Sequence, residues 1–285
     1  VYQLLDTGKF QKLEQIGPWR VVRPAMQAVW RPHLPEREWS SADAIFTRFS
    51  GGDGRWEIRN RKLPDTWSLP VPELGSLQIE LTDFGHLGIF PEQHTNWGRL
   101  GDIIAPLTKN NQSIQVLNLF AYTGGSTLAC ARAGAHVVHL DASKTSVAWA
   151  RTNSELSGLQ DKPIRWIVDD VQKFVAREVR RGTKYHGIIL DPPSFGRGPK
   201  GETWKIEEML PPLLDDLAQL LADDYLFFLL SSHSAGYTPL ALTNLVTEIC
   251  PVSSGKIVAD EMTVAEQGTG RPLPSGASCL YVRQT

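Results

Sequence analysis

Asp191, Pro192, Pro193, Ser194 and Phe195 spell "DPPSF", directly after the apolar run "HGIIL". A short apolar run reads as a buried strand, so the acid falls at the strand's tip. The two prolines fix φ and carry no N–H, which leaves carbonyl oxygens as the polar groups of the turn, expected to point into a pocket. A carboxylate, open carbonyls and an aromatic ring together suit a planar, amino-bearing substrate. The oxygens accept from its amino group, and Phe195 stacks on its ring. A rigid turn before a loop is the plainer alternative, since Asp-Pro favours turns. Three further acids hold comparable places: Asp141 ends "HVVHLD", and Asp169 and Asp170 end "IRWIVDD". Each alone suits a helix N-cap. As an ordered set at successive strand ends, they suit a ligand laid across a sheet.

A glycine turn precedes them. In "LNLFAYTGG", residues 117–125, an apolar run leads into glycines that open a helix. Dinucleotide sites use such a turn to bring the backbone close to a pyrophosphate. Here Phe120 and Tyr122 obstruct that approach, and only Gly124 and Gly125 remain. A ligand without phosphates fits better: one with a small carboxylate, an apolar thioether arm, a ribose and an adenine. S-adenosylmethionine is such a ligand. Asp141 lies 23 residues after Asn118, near the ~20-residue offset at which an acid grips ribose hydroxyls. A carboxylate at the third strand end can accept from the adenine amino group.

These residues need a scaffold, and the chain reads as one from about residue 113. Apolar strands alternate with helices through "IQVLNLF", "HVVHLDAS", "IRWIVDD", "YHGIILDPPSF" and "YLFFLLSS", before a final pair of strands. Strands this apolar, spaced by helices, imply a parallel sheet covered on both faces, a doubly wound α/β domain. Residues 1–80 read differently. Short alternating stretches separated by Gly, Pro and Asp turns predict a small β-rich domain, with 81–285 as the second domain. Six of the nine tryptophans fall in the first hundred residues.

Composition bounds the class. The 285 residues, 41% hydrophobic and 21% charged, suit a globular protein of one large and one small domain. No run of about 18 apolar residues predicts a membrane span, and no signal segment opens the chain, although residue 1 is Val, so a further N-terminal stretch is expected. Cys130, Cys250 and Cys279 lie far apart and form neither a disulfide framework nor a metal knuckle. A reducing cytoplasm and no metal are expected. Net charge is −2, but residues 1–70 hold 11 Lys and Arg against 8 Asp and Glu. A basic front end is compatible with a polyanion and equally with a solvated surface.

"VLNLFAYTGGSTLACARAGAHVVHLDAS", "VDDVQKF" and "ILDPPSF" resemble the class I methyltransferase family of bacterial 23S rRNA enzymes that make 5-methylcytosine or 7-methylguanine. "DFGHLGIFPEQHTNW" is similar to that family's segment ahead of the glycine turn, with Glu92 and His94 where the family has Asp and Arg. The likeness covers roughly residues 75–285. It implies a Rossmann-like, mostly parallel seven-stranded sheet, S-adenosylmethionine as cofactor and an rRNA substrate. By the same likeness Phe90 and Gln93 approach the cofactor, and Asn118, Phe120, Tyr122, Thr123 and Gly124 cradle it. Asp141 with Ala142 takes the ribose, Asp170 the adenine amino group, and the Val171 backbone the adenine ring. Asp191, Pro192, Pro193 and Phe195 form the catalytic motif. The arginines and tryptophans of the N-terminal domain are expected to help hold structured RNA.

One departure bears on chemistry. Members that methylate cytosine C5 carry a nucleophilic cysteine at the end of the fifth strand, where this chain reads "SSHSAG" with His233. Carbon methylation needs that covalent attack, so a nitrogen acceptor is favoured, needing only positioning. His233 lines the substrate pocket or is simply a satisfied polar residue. A protein or small-molecule acceptor and a non-catalytic RNA-binding protein are the alternatives; no G-x-S-x-G elbow or P-loop marks a hydrolase. The expected ligand preference is measurable by calorimetry: S-adenosylmethionine and S-adenosylhomocysteine should bind, and comparable affinity for NAD would contradict the reading of Phe120 and Tyr122.

Overall fold

The structure is a computed structural model that describes residues 1–49, 53–197 and 203–284. The chain divides into two compact units, Val1–Glu92 with Thr263–Ser275, and Gln93–Met262 with Gly276–Thr285. The first unit therefore runs past the residue-80 boundary expected from the sequence and takes in a segment from near the C-terminus.

In the first unit, β1 (Tyr2–Gly8), β2 (Gln11–Ile16), β3 (Trp19–Pro24), β4 (Ala44–Arg48) and β5 (Gly54–Ile58) form one sheet in that order, with the short helix α1 (Glu36–Ser40) between β3 and β4. The pairings are antiparallel except β3 with β4. A hairpin of β6 (Thr66–Val71) and β7 (Gly75–Glu80) follows. Charge is buried here deliberately. Glu14, wholly buried, accepts two bonds from Arg23 at 2.6 and 2.7 Å and one from the Tyr2 hydroxyl at 2.9 Å. Burial pushes the Glu14 carboxyl up, but Arg23 and Lys12 outweigh it and hold it at about 2. Such a buried pair is costly to break, because the surviving charge has no partner. Glu266, from the returning segment, accepts from Thr7 Oγ1 and from Arg271 at 2.7 Å. Asp6, His33 and Glu266 bring possible ligand atoms within 4.8 Å of one another. Arg271 supplies the positive charge there, 3.6 Å from Asp6.

Four of the five tryptophans of this unit are framework, which corrects the expectation of exposed tryptophans that face RNA. None ranks among its exposed large side chains, and their indoles donate inward: Trp30 to Thr7, Trp39 to Asp6, Trp56 to the Thr82 carbonyl and Trp67 to the Ile16 carbonyl. A large ring with one donor is cheapest to bury when that donor is satisfied. The exposed rings are Phe10, Phe49 and Phe84.

The second unit opens with α2 (His94–Lys109) and then alternates: β8 (Gln115–Leu119), α3 (Gly125–Arg132), β9 (His136–Asp141), α4 (Lys144–Leu156), β10 (Ile164–Val168), α5 (Val171–Arg181) and β11 (Gly187–Leu190). After the small pair β12 (Phe195–Arg197) and β13 (Thr203–Lys205) come α6 (Ile206–Ala218), β14 (Phe227–Ser232), α7 (Pro239–Ile249), β15 (Gly255–Ala265) and β16 (Pro272–Arg283). The sheet order is β10-β9-β8-β11-β14-β16-β15. The first five strands are parallel, and β16 returns antiparallel to β14.

Alternation along each strand feeds two cores. Leu117, Leu119, Val138, Leu140, Ile188, Leu190, Phe228 and Leu230 pack with α5, α6 and α7, while Val116, Val137, Ile189, Phe227 and Leu229 pack with α2 and α3. This is the doubly wound, mostly parallel seven-stranded sheet expected from the sequence. No helix among the described residues is long and apolar enough to cross a membrane.

A polar chain runs through the packed interior. Asn118 on β8 donates to Thr127 on α3 at 2.9 Å, and Thr127 Oγ1 stands 2.8 Å from His139 Nδ1 on β9. Thr127 Oγ1 thus takes one bond from the amide and shares a second with the imidazole. Burial pushes the His139 pKa from 6.5 down to about 3. The unfolded chain thus binds a proton between those values that the folded chain refuses, and stability present above pH 6.5 is lost as pH falls toward 3. Melting temperature should drop on acidification below pH 6.5. His139→Gln, less stable at neutrality, should show a shallower drop; an identical slope would mean that His139 charges in place.

Candidate functional site

Register assembles the site. Ile167, Leu140, Leu119, Leu190 and Leu230 form one row across β10, β9, β8, β11 and β14. The chain therefore leaves all five strands at one edge, over a span of about 19 Å for four strand spacings. Along that edge stand, in order, Asp170, Asp141, the Phe120–Gly124 turn, Asp191 to Phe195, and His233. Connections from β8 run to one side, through β9 and β10, before β11 takes the other. That reversal is the switch point at which open α/β sheets bind ligands.

The turn after β8 is strained and heavily braced. Phe120 and Tyr122 have φ of 54° and 47°, and Gly124 has 92°. Two side-chain-bearing residues in the left-handed region cost about 1–3 kcal/mol each, so the surroundings must over-determine them. Asp141 Oδ2 accepts the Tyr122 N–H at 2.9 Å, and the Leu140 carbonyl accepts the Ala121 N–H at 3.0 Å. Asn153 donates to the Thr123 carbonyl at 2.9 Å. The Phe120 ring meets Trp204 edge-on at 4.8 Å, and Tyr122 lies 6.2 Å from Trp149. A side chain at Gly125 would meet Trp97 at 2.7 Å, and one at Gly124 would press on Ala150 at 3.2 Å. These glycines thus admit neighbouring helices. No side chain caps α3, so its first-turn N–H groups open toward the turn, where an anion or carboxylate is favoured.

Asp141 is a brace as well as an acceptor. Its second oxygen takes the Ser143 N–H at 2.8 Å. Burial pushes its carboxyl pKa up against those two bonds, and each oxygen retains a lone-pair site. Ala142 beside it is half-buried. Asp170 is the N-cap of α5, accepting from the Lys173 N–H at 2.9 Å through Oδ1, with Oδ2 outside that bond. Val171, buried, begins the helix. Asp169 turns away into an ion pair with Arg177. Asn118 is buried in the interior chain and reaches the turn only through Thr127.

A second cluster surrounds Asp191. Its Oδ2 accepts from Gln93 Nε2 at 2.9 Å. The same Nε2 lies 3.0 Å from Ser231 Oγ, and Gln93 Oε1 accepts from Asn96 at 2.7 Å. Gln93 therefore clamps Asp191, while the family resemblance expects it to approach the cofactor. Phe90, its companion there, belongs to the first unit, where its ring lies 5.4 Å from His86. The other oxygen, Oδ1, is closed off from solvent and lies 3.3 Å from His233 Nδ1. Burial pushes the Asp191 carboxyl up, but His233, Ser231 and Gln93 outweigh it and hold it below the usual carboxylate range.

The proline turn needs one correction. The Pro193 carbonyl does not stand open, because the Trp204 indole donates to it at 2.6 Å. Pro192 is buried, and Phe195 presents a ring residue 53% exposed. Ser194 and Ser234 hydroxyls, 2.7 Å apart, tie the loops after β11 and β14. Trp204, Asn96 and Ser231 were not singled out from sequence; only "SSHSAG" hinted at the last.

No cysteine stands at this edge among the described residues. Cys130, Cys250 and Cys279 are buried on α3, at the end of α7 and in β16. Burial pushes the latter two thiols up to about 12 and about 11, which disfavours the thiolate a nucleophile needs.

Comparison with known proteins agrees with this geometry. Residues 99–223 match the family described as S-adenosylmethionine-dependent methyltransferase. The chain is 39% identical to the SAM-dependent methyltransferase from Agrobacterium tumefaciens, whose crystal structure it matches at a TM-score of 0.92 over 99% of this chain and 90% of that one. Ribosomal RNA large subunit methyltransferase I of Aeromonas salmonicida is 39% identical over 90 residues, 31% of this chain and 23% of its own length. Ribosomal RNA large subunit methyltransferase K of Neisseria meningitidis is 27% identical over 172 residues, 60% of this chain and 46% of its own length. The chain thus spans less than half the length of these curated relatives. The Agrobacterium protein matches almost end to end, and with the glycine turn, the acids and "DPPSF" on one sheet edge, the chain belongs to the S-adenosylmethionine-dependent methyltransferases.

Proposed function

We propose that this methyltransferase acts on a nitrogen of a nucleic-acid base in ribosomal RNA, without a covalent cysteine intermediate. The observation that carries the reading is the company of Asp191: His233, Gln93 and Ser231 surround it, and no thiol reaches it among the described residues. A ring carbon must be made nucleophilic by covalent attack, whereas a nitrogen has its own lone pair and needs alignment. The curated relatives named above, both large-subunit rRNA methyltransferases, support the RNA substrate.

The residues present fit the cofactor. S-adenosylmethionine, when bound, supplies an electrophilic methyl group on its sulfonium. The uncapped start of α3 suits the amino-acid carboxylate, with Phe120, Tyr122, Thr123 and Gly124 shaping the turn. Asp141, beside Ala142, keeps acceptor capacity for ribose hydroxyls, and Asp170 Oδ2 with the Val171 N–H faces the adenine. On the acceptor side, Asp191 receives the base's amino group, the Pro192 carbonyl supplements it, and Phe195 stacks on the ring. In the first unit, arginines and the exposed Phe10, Phe49 and Phe84 are the groups for holding RNA.

Mass spectrometry of rRNA nucleosides from cells with and without the gene should show one N-methylated base missing in the latter; a missing 5-methylcytosine would contradict the reading. RNA carrying 5-fluorocytosine should leave no covalent adduct. Asp141→Ala should weaken S-adenosylhomocysteine binding by about 1.5–3 kcal/mol, the loss of a charge-assisted bond. Asp191→Ala should instead lower kcat with cofactor binding retained, since alignment matters most in the transition state.

A further inference from the structure

His233 stands at the strand end where a nucleophilic thiol would be required, and there it faces Asp191. Its Nδ1 lies 3.3 Å from Asp191 Oδ1, an oxygen shut off from solvent. The carboxylate cannot swing away. Gln93 holds Oδ2 at 2.9 Å and is itself fixed by Asn96 and Ser231. One oxygen is thus left to orient an imidazole. From β16, a side chain at Gly276 would come within 3.3 Å of His233 Cδ2, so an uncharged backbone surface packs against the ring. With Nδ1 turned to Asp191, Nε2 lies at the opposite edge of the ring, on a side chain 31% exposed. Asp191 is held in its charged form, and a carboxylate beside an imidazole favours the imidazolium. Orientation through one nitrogen with a proton taken at the other is how carboxylate–histidine pairs serve as general bases.

We propose that His233, oriented by Asp191, takes the proton from the acceptor nitrogen during methyl transfer, and that the acceptor is an amino or other N–H nitrogen. The inference rests on the base-nitrogen reading above and narrows its substrate class. The nitrogen lone pair forms the new N–C bond to the methyl group. The S–C bond breaks, and its electron pair remains on sulfur, which becomes a neutral thioether. The N–H bond breaks, its pair returns to nitrogen as a lone pair, and the proton passes to His233 Nε2. The imidazolium faces Asp191 and then gives its proton to solvent. A ring nitrogen bearing only a lone pair has no proton to lose, so such an acceptor leaves His233 without this function.

The test compares the full chain with His233→Asn and His233→Gln, whose amides keep a donor for Asp191 but take up no proton near neutrality. The RNA is total ribosomal RNA from cells lacking the gene, with products identified by mass spectrometry. S-adenosylhomocysteine affinity and melting temperature should stay near wild type. Wild-type kcat should rise with pH through the His233 titration. In the variants that rising limb should vanish and the plateau fall by about 10²-fold, as for loss of a general base. Independently of turnover, the NMR titration midpoint of the His233 ring in the protein alone should fall in Asp191→Asn. Any of three results overturns the proposal: a wild-type pH profile and kcat in either variant, methylation of a nitrogen that carried no hydrogen, or an unmoved ring titration. If the wild-type chain methylates no RNA base, the base-nitrogen reading fails and takes this proposal with it. If it methylates a base N–H at equal rate without His233, only the role of His233 fails. Should both variants unfold, the ring titration in wild type and Asp191→Asn decides.

Discussion

One in-register row of apolar residues organises the second unit. Ile167, Leu140, Leu119, Leu190 and Leu230 sit side by side in five parallel strands whose two faces are both covered. Within that slab, backbone polar groups are tied into ladders and an unpaired charge is prohibitively costly. The strand ends are the first positions where a carboxylate can keep solvent or donor contacts. Parallel strands share one direction, so those ends coincide. Three aspartates far apart in the chain thereby meet along a single edge.

The edge has two halves with different electrostatics. Asp141 is braced by backbone N–H groups and pushed up by burial, whereas Asp191 is pulled down by His233, Ser231 and Gln93. The same side chain thus serves as a scaffold for a strained turn in one place and as a fixed negative charge in the other. The strain at Phe120 and Tyr122 is part of the first half: Asp141 holds the Tyr122 N–H, while Gly124 and Gly125 let α3 settle against Ala150 and Trp97. The second half is a clamp, in which Gln93 carries rigidity from α2 to Asp191 through Asn96.

The first unit solves a different problem. Small sheets bury little apolar surface, and this one adds satisfied polar groups in its interior: Glu14 with Arg23, Asp6 with the Trp39 indole, Glu266 with Thr7 and Arg271. The tryptophans that drew attention in the sequence are spent on this framework. Four of their indole donors point inward, and the exposed large aromatic residues of this unit are instead Phe10, Phe49 and Phe84.

The sequence alone determined the strand–helix alternation, the sheet class and the positions of Asp141, Asp170 and Asp191 at strand ends. Apolar runs of strand length and acids after them are local patterns, and a parallel sheet turns local position directly into a place on its edge. It also carried the absence of a strand-five cysteine. Tertiary structure decided what each group spends its bonds on. Whether Asp170 caps a helix, whether the Pro193 carbonyl is taken by Trp204, and whether Gln93 serves the turn or Asp191 depend on partners 3 to 98 residues away. So does the pairing of His233 with Asp191, 42 positions apart in the chain and 3.3 Å apart across neighbouring strands. A hydrogen bond or ion pair needs a few tenths of an ångström of placement, and only packing supplies that.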